Sequence, residues 1–289
     1  TQSSLKAAGG AEEKRGLVPR AIELYEQASV LDPGLAAAHH ALERLYDRSG
    51  RADDLARLLE RDAEASPDPD ERVAIFLHLA RIHELQRADS EAAARFYERV
   101  LRDAPRHRTA LRSLAVLHER AGRFRELVDV RDRLADGGED RRSATAHLQA
   151  NAEILMERLG DEEGAARACE RVLAIDPQHP PALRLLGQSY ERAGRWSDLV
   201  ALLRSQAAAS PSPEAAAQLL CRAGQTLEAK LGREDQAVLA YREALALVGA
   251  HSGALRALAR IHRSRGAWRD LADVLRSEAA SLAGPADKV

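Results

Sequence analysis

The octapeptide RAGRWSDL occupies residues 192–199, and related octapeptides recur at one constant interval in both directions along the chain. RAGRFREL lies at 120–127, RSGRADDL at 48–55 and SRGAWRDL at 264–271. Four copies that stay in phase without an insertion indicate an internal repeat of about 72 residues. Such a period is typical of proteins in which each repeat packs mainly against its neighbours.

The repeat unit is itself double, because small residues recur at alternating spacings of about 34 and about 38 residues. A residue with little or no side chain is favoured in a tight turn between two helices. These turn positions are Gly16, Gly50, Ala88, Gly122, Gly160, Gly194, Gly232 and Gly266. Between the turns the apolar residues follow a helical stripe, as Leu183, Leu186 and Tyr190 do. No alternating strand pattern is found, so we predict an all-α fold.

These helical pairs resemble the tetratricopeptide repeat over roughly residues 16–283. The resemblance rests on Leu183-x2-Leu186-Gly187-x2-Tyr190, followed by Gly194 and Pro211, and on the pairs Ala21/Tyr25, Ala93/Tyr97 and Ala237/Tyr241. The longer copies depart from the family by extra residues around the first helix and its turn, as in EILMERLGDEE at 153–163. The resemblance implies a right-handed α-solenoid, a superhelix of about eight antiparallel helix pairs.

We predict one repeat array over residues 1–289 without linkers between domains. Gly9-Gly10 is expected to interrupt the opening helix of the first pair. The predicted pairs lie near 1–33, 34–67, 68–105, 106–138, 139–177, 178–211, 212–249 and 250–283, and 284–289 form a tail.

Composition excludes several classes of protein. The net charge is −2 with both signs interspersed, which does not suit nucleic-acid binding. No apolar stretch approaches the roughly 18 residues that span a membrane. Two cysteines and the lack of a visible signal peptide favour a reducing, cytoplasmic compartment, although a start at Thr1 leaves a removed leader open. Arginine and alanine richness suggests a bacterial source.

No catalytic residue, metal site or cofactor is predicted. His107, His179 and His251 share one slot of the repeat, so they should lie about 20 Å apart and cannot share a metal. Their recurrence indicates a local task, either capping the next helix or packing on the preceding loop. Cys169 is expected in the core, and Cys221, which lies on a first helix, is expected in the core with a position facing the groove as the alternative.

The family resemblance implies that ligands bind the concave groove lined by the first helix of each pair. One groove slot holds His40, Arg112, Arg184 and Arg256. A slot one turn later holds Arg44, Val116, Gln188 and Arg260 in the short repeats, and Arg81, Glu153 and Gln225 in the long ones. The arginines could clamp an acidic peptide. Alternatively, they pair with Glu43, Glu119 and Glu191 and only solvate the groove.

Two functions remain open on this sequence. The first is a non-catalytic scaffold that binds a protein or peptide segment in the groove. The second is a self-assembling solenoid, or a segment of a larger multidomain protein, that stacks end to end through uncapped ends, since LADVL at 271–275 keeps its apolar pattern.

Overall fold

The computed structural model describes residues 2–14, 16–32, 34–138 and 140–282. In these ranges the chain forms sixteen helices and no strand, which confirms the all-α prediction. The helices alternate between the first (A) and the second (B) helix of a pair. The A helices are Gln2–Lys14 (α1), Ala36–Arg48 (α3), Pro69–Arg81 (α5), Arg108–Ala121 (α7), Arg141–Ile154 (α9), Pro180–Arg192 (α11), Pro213–Ala229 (α13) and Ser252–Ser264 (α15). The B helices are Val18–Leu31 (α2), Ala52–Ala65 (α4), Ser90–Asp103 (α6), Phe124–Asp136 (α8), Glu162–Ile175 (α10), Trp196–Ala209 (α12), Glu234–Leu247 (α14) and Trp268–Leu282 (α16).

The chain divides into two compact units, the first reaching His147 and the second beginning at Leu148. In the first unit, α1 to α7 each pack against the next helix in sequence. In the second unit, α10 to α15 do the same. Packing between sequence neighbours is the rule of an α-solenoid. That the chain forms one continuous repeat array stays a prediction, and so does the right-handedness of the superhelix.

Repeat-equivalent residues form the core of each unit. The alanine slot of the B helices is fully buried at Ala21 and Ala93 in the first unit and at Ala165 and Ala237 in the second. A small side chain at this slot lets the two helices of a pair approach closely, because nothing extends beyond the Cβ. The leucine slot, at Leu55, Leu127, Leu199 and Leu271, is buried as well.

The predicted tight turns between A and B helices adopt the left-handed conformation. Seven of the eight turn positions are glycines with φ between +61° and +77°. The eighth is Ala88, with φ +52°. An L-residue with a Cβ is disfavoured in this region by about 1–2 kcal/mol, so this turn is strained relative to its sister turns.

Two of the longer repeats place their extra residues in a π-helical turn at the end of the A helix. Ile82–Gln86 extend α5, and Leu155–Leu159 extend α9. In the third long repeat, α13 is a regular helix of 17 residues instead. The additional length is therefore absorbed by the A helix, in agreement with the position of the extra residues in the sequence.

The prediction that Gly9-Gly10 interrupts the first helix is wrong, because α1 is continuous from Gln2 to Lys14. Gly9 is buried against the ring of Tyr25, where an added Cβ would lie 3.0 Å from Cε2 and Cζ. The glycine pair thus serves close packing of α1 on α2, and packing offsets the low helix propensity of glycine.

Candidate protein-binding surface

The exposed side of the A helices within one unit is called its A face. In the first unit it carries His40 and Arg44 from α3, Arg81 from α5, and Arg112 and Val116 from α7, all exposed. Their spacing follows the repeat, so the predicted groove residues of this unit lie at equivalent positions on successive helices. Arg44 is already engaged, since its Nη2 donates to both carboxylate oxygens of Glu13 on α1 at 2.7 Å.

A small polar cluster lies where α3 meets α5. Glu43 stands 3.2 Å from His78 Nδ1 and 3.9 Å from His40 Nδ1. The hydrogen bond from His78 holds the pKa of Glu43 below its usual value, against an opposing effect of burial. These side chains border a cleft of about 500 Å³ between α3, α4 and α5. The carboxylate of Glu43 is therefore satisfied by histidine.

In the second unit, ion pairs link successive A helices. Arg222 of α13 donates to Glu191 of α11 at 2.5 Å. Arg260 of α15 binds Glu228 of α13 through two hydrogen bonds, one of them 2.9 Å from Nη2 to Oε2. Each pair joins one A helix to the next, and each neutralises a carboxylate on the A face.

Three A helices of the second unit, α11, α13 and α15, carry an excess of positive charge. Helices α11, α13 and α15 together contain six arginines and three glutamates. Glu191 and Glu228 are the two that are paired across helices. The predicted groove residues Arg184 and Arg256 are exposed. In the part of the chain that the structure describes, neither forms an ion pair, and Arg256 Nε contacts its own backbone at Ser252 O, 3.3 Å away.

The other predicted groove residues contribute less. Gln188 is exposed on α11, whereas the Gln225 amide lies 4.0 Å from Cys221 Sγ. Glu153 is exposed on α9 and accepts a hydrogen bond from Gln149 at 2.9 Å. Glu43, Glu119 and Glu191, the glutamates of the alternative pairing, contact His78, Arg131 and Arg222, respectively. Pairing of the groove arginines with these glutamates stays a prediction.

The recurring histidines cap helices. The Nδ1 atoms of His107, His179 and His251 accept hydrogen bonds from Ala110 N, Ala182 N and Ala254 N at 3.3, 3.4 and 3.2 Å. Each histidine thereby offers an acceptor to a backbone N–H in the first turn of α7, α11 or α15, and Ala254 N also donates to His251 O at 3.1 Å. Of the two tasks considered for this slot, the structure selects capping.

The cysteines lie in the core, as predicted. Burial raises the pKa of Cys169 to about 12, with smaller contributions from nearby glutamates. Burial also raises the pKa of Cys221. Neither thiol therefore has the thiolate character of a nucleophile. Across the described ranges, no cluster of metal-ligating side chains forms and no helix combines the length and apolarity that a membrane span needs.

Sequence reasoning missed the ion pairs between neighbouring A helices. A signal for them exists, because Glu191 and Arg222 are 31 residues apart, as are Glu13 and Arg44. An acid and a base separated by about one repeat, each on an A helix, are therefore placed to meet. The same spacing would have indicated that Arg44 forms an ion pair with Glu13.

Family models of the tetratricopeptide repeat match four stretches of the chain, at residues 38–73, 182–217, 217–247 and 254–288. These matches coincide with the helix pairs and turns described above. The chain is a tetratricopeptide repeat protein. The short octapeptide repeat that marks it is the A-to-B turn of every second pair.

This tetratricopeptide repeat protein is 30% identical over 234 residues to cellulose synthase operon protein C of Xanthomonas axonopodis pv. citri (strain 306). The match covers 80% of this chain but spans 14% of that relative's length. Among solved structures, a tetratricopeptide repeat protein from Parabacteroides merdae ATCC 43184 is 15% identical with a TM-score of 0.38, covering 89% of this chain and 97% of the other. The structure of Naa15/Naa10 bound to HypK-THB is 17% identical with a TM-score of 0.44, and the match covers 89% of this chain and 38% of the other.

Proposed function

We propose that this protein is a non-catalytic scaffold that binds an acidic protein or peptide segment on the A face of its second unit. The proposal is supported by the difference between the glutamates of this face, which have ion-pair partners, and two of its arginines, which have none among the described residues. Glu191 and Glu228 are held by arginines, while Arg184 and Arg256 stay exposed in equivalent repeat slots without an ion pair among the described residues.

Such arginines suit a carboxylate ligand. A guanidinium is planar and forms two parallel hydrogen bonds with a carboxylate. Arg184 and Arg256 occupy the same slot in successive copies of the repeat unit, so they repeat the same contact on α11 and α15. An extended acidic segment that passes α13 would meet both arginines, and Gln188 and Gln225 would supply neutral hydrogen-bonding groups between them.

Site-specific photo-crosslinking in cells tests the proposal. A photoreactive amino acid replaces Gln188 on the A face or, as a placement control, Leu239, which is 55% exposed on the B helix α14. The expected result is a partner cross-linked from position 188 and absent from position 239. The double variant Arg184→Glu with Arg256→Glu should abolish this cross-link.

The charge control is the double variant Arg167→Glu with Arg242→Glu, which makes the same change in net charge on the B helices α10 and α14. It should leave the cross-link from position 188 intact. Equal loss in both double variants, or a cross-link that survives Arg184→Glu with Arg256→Glu, would contradict binding at this surface.

A further inference from the structure

Three polar side chains from successive helices of the first unit are joined by hydrogen bonds. Ser29 lies in the last turn of α2, His39 in the first turn of α3 and Asp62 in the last turn of α4. The distance from Ser29 Oγ to His39 Nε2 is 2.8 Å, and His39 Nδ1 lies 2.6 Å from Asp62 Oδ1. The three groups therefore meet in the order hydroxyl, imidazole and carboxylate.

The same three slots hold leucine in the next copy of the repeat unit. Leu101, Leu111 and Leu134 are 7%, 1% and 1% exposed. In the second unit, leucine occupies two of the three slots, at Leu173 and Leu183. Burial of a leucine side chain contributes about 1.5–3 kcal/mol, whereas a hydrogen bond contributes about 1 kcal/mol. The polar set therefore costs stability relative to its sister sets, and residues that do so are typical of a functional site.

The order of the three groups determines where the protons lie. An ionised carboxylate only accepts hydrogen bonds, so the Nδ1–H of His39 donates to Asp62. Nε2 of the neutral ring then carries a lone pair and accepts from the hydroxyl of Ser29. An imidazole that is oriented by a carboxylate and bonded to a serine hydroxyl is the arrangement that activates serine as a nucleophile.

The residues of this set border two clefts. Ser29 borders one of about 530 Å³ between α2, α3 and α4, whose lining also includes Leu42 and Arg61. His39 and Asp62 border the cleft between α3, α4 and α5. Arg61 is exposed and forms no ion pair within the described ranges, so its charge is available to stabilise an oxyanion. The first cleft therefore offers a reagent both the nucleophile and a positive charge.

We propose that Ser29 is a site of covalent modification that takes an acyl group from a thioester. The Oγ lone pair bonds to the carbonyl carbon, and the hydroxyl proton passes to Nε2 of His39. The bond from that carbon to the leaving sulfur then breaks, and the leaving thiolate takes the proton from His39. The products are an acyl ester on Ser29 and a free thiol.

This modification is a single transfer to the first unit and needs no catalytic cycle. Its residues are separate from those assigned to acidic-segment binding on α11, α13 and α15, so either proposal can fail without the other.

A fluorescent fluorophosphonate tests the nucleophile in the full chain. The serine oxygen attacks phosphorus, fluoride leaves, and His39 takes the proton, so the reagent reports the same activation. Peptide mapping by mass spectrometry should find the label on Ser29, and the urea-unfolded chain should react about a hundredfold more slowly or less. Ser29→Ala should remove the label. Asp62→Asn should slow labelling by about tenfold or more, because the ring loses the group that orients it.

A thioester tests the class of donor. Incubation with a short-chain acyl thioester before the fluorophosphonate should slow labelling of the wild-type chain, because both reagents compete for the same oxygen. Labelling at Ser29 that the thioester does not slow would overturn the proposed acyl transfer.

The sister repeat supplies the matched control. The triple variant Ser29→Leu, His39→Leu and Asp62→Leu copies the leucine set, so it should unfold at a higher urea concentration and not react. Ser49→Ala should keep the wild-type rate, since the Ser49 hydroxyl donates to the backbone at Leu45 O, 2.6 Å away. Circular dichroism checks the helix content of each variant. A native chain that stays unlabelled at Ser29, or equal labelling of wild type and Ser29→Ala, would overturn the proposal.

Discussion

Ala88 is the turn residue that lacks the conformational freedom of its seven glycine equivalents. Its φ of +52° places an L-residue in the left-handed region. We expect Ala88→Gly to raise the free energy of unfolding by about 0.5–1 kcal/mol, because relief of the strain exceeds the added entropy of the unfolded chain. Urea denaturation followed by circular dichroism measures the change.

The reciprocal substitution is Gly122→Ala in the equivalent turn of the next pair. No atom lies within 4 Å of the position that a Cβ would occupy, and φ is +67°. The expected loss of about 1 kcal/mol is therefore conformational rather than steric. Stabilisation by Gly122→Ala, or destabilisation by Ala88→Gly, would show that φ does not govern these turns.

His118 occupies a slot where two sister repeats have a tyrosine bonded to glutamate. Tyr46 donates to Glu26 at 2.6 Å and Tyr190 donates to Glu170 at 2.8 Å. Burial lowers the pKa of His118, and its Nδ1 has no hydrogen-bond partner in the described part of the chain. The protonated imidazole is thus disfavoured in the folded state.

This burial predicts a loss of stability in mild acid. Below the unfolded-state pKa of about 6.5 the unfolded chain binds more protons than the folded chain, so stability is full above pH 6.5 and falls as pH decreases. At pH 5.5 the loss from one such histidine reaches about 1.4 kcal/mol at most. His118→Tyr should reduce the difference in urea midpoint between pH 7.5 and 5.5, with Glu98 as the new acceptor. An undiminished difference would contradict this assignment.

At the scale of single helices, capping explains why histidine recurs at the position of His107, His179 and His251. His179 Nδ1 accepts a hydrogen bond from Ala182 N at the start of α11. We expect His179→Ala to lower the free energy of unfolding by about 1 kcal/mol, and His179→Asn to retain most of the stability because asparagine is a strong cap. Thermal unfolding distinguishes the two. Equal losses in both variants would indicate that the ring acts by packing.

The helices themselves could be predicted from the sequence for a local reason. Apolar spacing, turn glycines and capping histidines act within about one helical turn of their own position, so the chain displays them directly. Gly9 shows the limit of such reasoning. Its role depends on Tyr25 of the neighbouring helix, and glycine propensity alone suggested a break that α1 does not contain.

The candidate surface could be predicted only in part. The repeat phase indicated which slots face outward, but it did not show which side chains are already engaged. Arg44 and Arg256 look alike in sequence, yet Arg44 binds Glu13 from another helix while Arg256 contacts its own backbone. Such differences depend on how neighbouring helices are aligned, and a sequence pattern within one helix does not show that alignment.

At the scale of the whole molecule, packing between sequence neighbours should keep the effect of a core substitution local. Leu127 is fully buried in α8 of the first unit. Leu127→Ala leaves a cavity and should cost about 2–4 kcal/mol. Hydrogen exchange followed by mass spectrometry should show faster exchange in α7 and α8, while α1 to α3 keep their wild-type rates, because no direct contact carries the loss that far. The surface variant Val30→Ala, at a residue 76% exposed, should leave every rate unchanged. Uniform acceleration throughout the first unit after Leu127→Ala would mean that the unit unfolds as one cooperative body.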